Sequence, residues 1–148
     1  MSEDEITRED LNCCLAVVQA APDDAIARRA LARAYALNGQ DLMGLDQLRK
    51  AVELCPDSPE IQYDIGHLYA RLDQYEIAIE HVNISIGLDP DDYLPYHFLG
   101  MLYTVMGRYG RAIQYLFKAM FRAPLHFRIY VSISQWVAVV TLRFLMNF

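Results

Sequence analysis

Apolar residues in this chain fall at helical spacing in a series of short blocks. The first sets Leu11, Cys14, Leu15 and Val18 along one stripe, the i, i+3, i+4, i+7 arrangement of an amphipathic helix. It ends at Ala21-Pro22, where a proline forbids continuation. Thr7 followed by Asp10 predicts a capping box at its start, leaving residues 1–5 as an acidic tip. In the next block Leu31, Tyr35 and neighbouring alanines form an inner stripe, with Asp23-Asp24 at the positive end of the helix. Asn38-Gly39 closes a turn, Asp41 is the expected cap of a second helix, and Leu45, Leu48, Ala51 and Val52 face back toward the first. The pattern predicts two antiparallel helices joined by a tight turn.

That two-helix unit is then written again. Leu99-Gly100, Tyr103, Gly107, Tyr109, Ala112, Leu116, Ala119 and Pro124 match Ile65-Gly66, Tyr69, Asp73, Tyr75, Ala78, Val82, Ser85 and Pro90 at an interval of 34 residues. One interval earlier stand Leu31-Ala32, Tyr35, Gly39, Asp41, Gly44, Leu48, Ala51 and Pro56, and Pro22 keeps the same beat. A fixed period of this length marks a repeat architecture. Ala32, Gly66 and Gly100 are small where a larger side chain would hold two helices apart. Pro59 falls at a helix start, where a missing N–H costs nothing, and Pro95 is expected to do the same after Asp91-Asp92.

The repeated residues resemble the tetratricopeptide repeat family: a Leu-Gly pair, a Tyr, an Ala, an aromatic or aliphatic residue and a terminal Pro. The departures are Ala32 for Gly, Gly44 and Ser85 for Ala, and Arg28, Gln62 and Tyr96 where the family carries an early Trp. The resemblance implies an all-α fold, a right-handed superhelical stack of antiparallel helix pairs. Three full repeats are expected at 25–58, 59–92 and 93–126. They are flanked by an N-terminal tip and capping helix, 1–24, and an apolar C-terminal helix, 127–148, that begins a fourth repeat. Terminal helices in such stacks hide an apolar face from water.

The C-terminal segment departs from that role. It holds Arg128 and Arg143 as its only charges, so the first 126 residues carry −8 and the rest +2. Trp136, Val137, Val139, Val140, Leu142, Phe144, Leu145 and Met146 make it apolar on nearly all sides, the mark of a helix that should be buried. Three readings stay open: a cap packed on a second copy of the chain or on a following helix, a membrane anchor, or a segment altered by truncation. The span from Ile129 to Phe148 is long enough to cross a bilayer, but Gln135 and Arg143 lie within it and no basic flank follows.

With 54% hydrophobic and 22% charged residues, the chain is composed like a folded domain rather than a disordered one. Its net charge of −6 argues against nucleic acid, since phosphate binding needs clustered Lys and Arg. Cys13, Cys14 and Cys55 show neither metal spacing nor an even disulfide set and read as at least partly buried thiols of a reducing, cytoplasmic compartment. The N-terminus lacks the apolar core of a secretory signal. No nucleophile motif, phosphate-cradling loop or metal-ligand spacing is present, so the sequence predicts no catalytic residue, no metal, no cofactor and no enzyme.

A stack of helix pairs presents a concave surface lined by the first helix of each pair. In the phase that the resemblance implies, the partner-binding groove is formed by Arg29, Arg33 and Leu37, then Tyr63, His67 and Arg71, then Leu94, His97, Met101 and Val105, with Ile26 and Glu60 also facing it. Arg29 and Arg33 lie four apart on one helical face, so both guanidinium groups can address one anionic group. Asp64 and His67 form a polar cluster beside them. Family members that clamp the acidic tail of heat-shock proteins use Lys, Asn, Asn, Lys and Arg; the matching places here hold Arg29, Arg33, Asp64, Leu94 and Phe98, and Asp64 would repel such a tail. The expected function is a protein–protein interaction module or chaperone-like adaptor that takes an extended or helical segment of a partner. The competing classes are a membrane-tethered assembly factor and an accessory domain of a larger enzyme.

Overall fold

The computed structural model describes residues 3–123, with side chains from Asp10 onward, and residues 133–135, 137–138 and 141–142. Seven helices are defined in that span: α1 (Glu3–Ala20), α2 (Ala25–Leu37), α3 (Asp41–Leu54), α4 (Pro59–Arg71), α5 (Tyr75–Leu88), α6 (Tyr93–Val105) and α7 (Tyr109–Arg122). The described residues contain no strand. The chain forms two compact units, Met1–Leu88 and Asp89–Phe148.

In the first unit α2 pairs with α3 and α4 with α5, while α1 packs on α2 and α3 on α4. The core is Ala32, Leu45, Leu48, Ala51, Ile61, Ile65 and Leu68. In the second unit α6 pairs with α7 around Leu99, Leu102, Ala112, Leu116 and Ala119, all buried.

The start of each pair is set two residues after a proline. Asp24 caps α2, its carboxylate accepting from the backbone N–H of Ile26 at 2.8 Å and of Ala27 at 3.2 Å. Ser58 caps α4, accepting from Ile61 N–H at 3.4 Å, and Asp92 caps α6, accepting from Leu94 N–H at 3.0 Å. A polar side chain at this place satisfies a donor that the helix cannot. Pro59 occupies the start of α4 and Pro95 the first turn of α6, where it is buried. The turn inside each pair passes through one left-handed residue: Gly39 at φ 72°, Asp73 at 59° and Gly107 at 72°.

Four expectations change at this level. α1 starts at Glu3, so residues 3–5 are helical rather than a separate tip, and Thr7 lies inside the helix instead of capping it. Asp41 does not cap α3: the cap position is Gln40 and makes no side-chain bond, while Asp41 accepts from Arg71. Cys13 and Cys55 are exposed and Cys14 is half-buried, because helix α1 buries Leu11, Leu15 and Val18 only in part and Cys55 sits past the end of α3. Pro124 and most of 127–148 lie outside the described residues; within that segment 133–135, 137–138 and 141–142 are helical.

A cleft on the first unit

The first helices of the two pairs in the first unit enclose a cleft of about 370 Å³. Arg33 and Leu37 come from α2, and Tyr63, Asp64, His67 and Arg71 from α4. Ala32, Ala36, Leu48 and Leu68 form its floor. Five residues expected in the groove therefore meet here: Arg33, Leu37, Tyr63, His67 and Arg71. The floor is apolar because it is the outer skin of the core, and the polar groups stand at the rim.

Arg29 does not share this role with Arg33. Its Nε donates to Asp64 Oδ2 at 2.6 Å, and the carboxylate is nearly enclosed, its side chain 9% exposed. A carboxylate so enclosed needs a hydrogen-bonding partner, and Arg29 is that partner. The pair ties α2 to α4 across the back of the cleft. Arg71 is held in a similar way at the far end. Its Nε donates to Asp41 Oδ1 at 2.7 Å and a second nitrogen to the carbonyl of Ala36 at 3.0 Å, fixing the α2–α3 turn against α4. Arg33 is exposed and has no hydrogen-bond or carboxylate partner among the described residues. The expected Arg pair is thus a division of labour, one guanidinium structural and one open to solvent.

His67 stands between these groups. Burial, and then the positive charges of Arg71 and Arg33, hold it below its ordinary value against the opposite pull of Asp64 and Asp41. The ring is neutral near pH 7, so the positive charge offered to a ligand comes from Arg33. Ile26 and Glu60, expected to face the groove, are both exposed and do not line the cleft. Among the described residues no three His, Cys, Asp or Glu side chains gather as metal ligands.

In the second unit the expected groove residues lie along α6. Leu94, Met101 and Val105 are 40%, 49% and 67% exposed, and His97 is half-buried. They form an apolar strip at helical spacing on that unit's surface.

A second set of residues, absent from the expectation, joins the two helices of each pair. Arg28 donates to the side chain of Gln47 at 3.1 Å, and His81 Nδ1 lies 2.9 Å from Gln62 Oε1. His81 also stacks on Tyr69, with centroids 5.6 Å apart, and Tyr103 stacks on Tyr115 at 5.4 Å. Residues 28, 62 and 96 and residues 47, 81 and 115 are each one period apart, and the first set is where the family's Trp is missing. The signal was present as a regular polar or aromatic position inside an otherwise apolar stripe.

Known proteins share the repeated helix-pair fold. The model of the tetratricopeptide repeat family matches residues 59–92 and 95–120. A search of curated protein sequences returns no significant match. Among solved structures, a crystal structure of MamA is similar with a TM-score of 0.75 and 25% identity, over 97% of this chain and 87% of that one. TTC0263, a thermophilic repeat protein of Thermus thermophilus, superimposes with a TM-score of 0.84 at 22% identity, over 90% of this chain and 74% of that one. The first repeat domain of Spaghetti (RPAP3), solved with the HSP90 peptide SRMEEVD, gives 0.73 at 15% identity, over 79% and 95%.

Proposed function

Residues 59–92 and 95–120 are tetratricopeptide repeats, and from that footing we propose that the chain is a non-enzymatic interaction module that takes an extended segment of a partner protein in the cleft between α2 and α4. The observation that carries this reading is Arg33. It stands exposed at the rim of an apolar-floored cleft, while its neighbour Arg29 is neutralised by Asp64. A buried, already ordered floor spends little entropy on binding. The partner segment supplies an apolar side chain for the floor formed by Ala36, Leu48 and Leu68 and a carboxylate for Arg33. In the second unit, the strip of Leu94, Met101 and Val105 offers further apolar contact to a partner. The solved complex of the RPAP3 domain with an HSP90 peptide supports peptide capture as a use of this fold. The helix pair α2–α3, with its proline, cap and left-handed turn in phase, supports reading 25–58 as a repeat too. Three free thiols, two of them exposed, support a reducing, cytoplasmic compartment.

Selection of peptides from a random display library tests this directly. The native chain is expected to enrich acidic peptides with an apolar neighbour, and Arg33→Glu to lose them with unchanged far-UV circular dichroism. Enrichment of the same peptides by both would overturn the reading. Arg29→Glu is the wrong variant for this purpose, since it sets two carboxylates together beneath the cleft.

A further inference from the structure

The outer face of α7 differs from those of the other six defined helices. All 19 acidic residues lie at or before Asp92; residues 93–148 carry Arg108, Arg111, Lys118, Arg122, Arg128 and Arg143 and not one Asp or Glu. Three of these cations rest on tyrosine rings instead of carboxylates. Arg111 lies 5.7 Å from the Tyr103 centroid, Lys118 4.9 Å from Tyr115 and Arg122 3.9 Å from Tyr96. A ring face orients a cation without cancelling its charge. None of the three has a carboxylate partner among the described residues.

Beside them stand two aromatic side chains in water. Phe117 is 45% and Phe121 77% exposed. They are four residues apart, hence on one face, opposite the buried stripe of Ala112, Leu116 and Ala119. The repeat itself leaves these places open. One and two periods earlier the same places hold Asn83 and Gly87, and Arg49 and Glu53, all exposed. Arg49 and Glu53 remain so although α4 packs directly on α3. Among the described helices, positions that face solvent by the geometry of the repeat have been given phenylalanines in α7 alone.

We propose that the outer face of α7 docks on an anionic lipid bilayer. Phe117 and Phe121 enter the boundary between headgroups and acyl chains, and Arg111 and Lys118 pair with lipid phosphates. Exposed aromatic residues flanked by cations suit a helix face lying in that plane, and the absence of Asp and Glu from residues 93–148 removes the repulsion a negative surface would exert. The chain leaves α7 into 124–148, whose only charges are Arg128 and Arg143 and whose described helical residues expose Val137 and Leu142. No helix among the described residues is long and apolar enough to cross a membrane.

Sedimentation of the full chain with vesicles tests the proposal. The chain is expected to sediment with phosphatidylcholine–phosphatidylglycerol vesicles, to stay in solution with phosphatidylcholine alone, and to be released by salt, which screens the attraction. Lys118→Glu is expected to reduce the bound fraction about tenfold or more, and Phe117→Ser with Phe121→Ser to do so as well. Both Phe side chains are exposed and lie outside the buried core, so that variant decides the matter should Lys118→Glu fail to fold. Equal binding to both vesicle types, or binding unchanged by the Phe pair, would overturn the proposal. So would retention of an acidic polypeptide or a single-stranded oligonucleotide, but not of vesicles, by this face.

Discussion

Gly66 and Gly87 are both helical glycines, and they should respond to the same substitution in opposite directions. A Cβ at Gly66 would lie 2.6 Å from Val82 Cγ2 and 2.9 Å from the carbonyl of Ala78, whereas one at Gly87 meets nothing within 4 Å. Ala is favoured over Gly in an open helix by roughly 0.5–1 kcal/mol, while overpacking a close contact costs about 1–3 kcal/mol. Gly87→Ala is therefore expected to raise the denaturation midpoint and Gly66→Ala to lower it, as urea titration followed by circular dichroism will show. The close approach at Gly66 was legible in the sequence, since a small residue recurs there every period. The roles of Arg29 and Asp64 were not. Each is an ordinary surface residue for its own helix, and only the packing of α2 on α4 sets them 2.6 Å apart.

At the scale of the element, each helix pair is closed by local signals and latched by side chains that meet across it. Caps at Asp24, Ser58 and Asp92 and left-handed turns at Gly39, Asp73 and Gly107 repeat in phase, so the elements were readable from short windows of sequence. The latch of α4 to α5 was not readable in that way. His81 is half-buried, bonded to Gln62 and stacked on Tyr69, and burial lowers its pKa below the ordinary value of a histidine. Its unfolded counterpart binds a proton first as pH falls, so stability is full above roughly pH 6.5 and is lost as pH drops toward the folded value. Thermal melts at about pH 7.5 and about pH 5.5 should show a lower midpoint at the acid pH. His81→Gln, which copies Gln47 at the equivalent place, should shrink that difference; an unaltered difference would show that other groups carry it. His67 contributes in the same direction.

For the whole molecule, the cleft on the first unit and the outer face of α7 in the second use different residues and different physics. The cleft joins an apolar floor to one exposed guanidinium, and the α7 face joins exposed rings to cations held on tyrosines. The two activities are therefore expected to separate by mutation. Arg33→Glu should abolish peptide selection and leave vesicle sedimentation intact, and the Phe117, Phe121 double variant should do the reverse. Loss of both activities in either variant, measured on chains with native circular dichroism, would show that one surface serves both.

The sequence by itself determined the helices, their pairing and their period. Each depends on contacts a few residues apart (caps, left-handed turns, stripes at i, i+3 and i+4), and those contacts recur at every interval of 34. The tertiary structure alone decided which charges remain for a partner. Arg29 and Arg71 find their carboxylates 35 and 30 residues away along the chain, on neighbouring helices, so no local pattern records that they are already occupied. Arg33 keeps its charge exposed for the same reason in reverse, because the fold brings no carboxylate among the described residues to it.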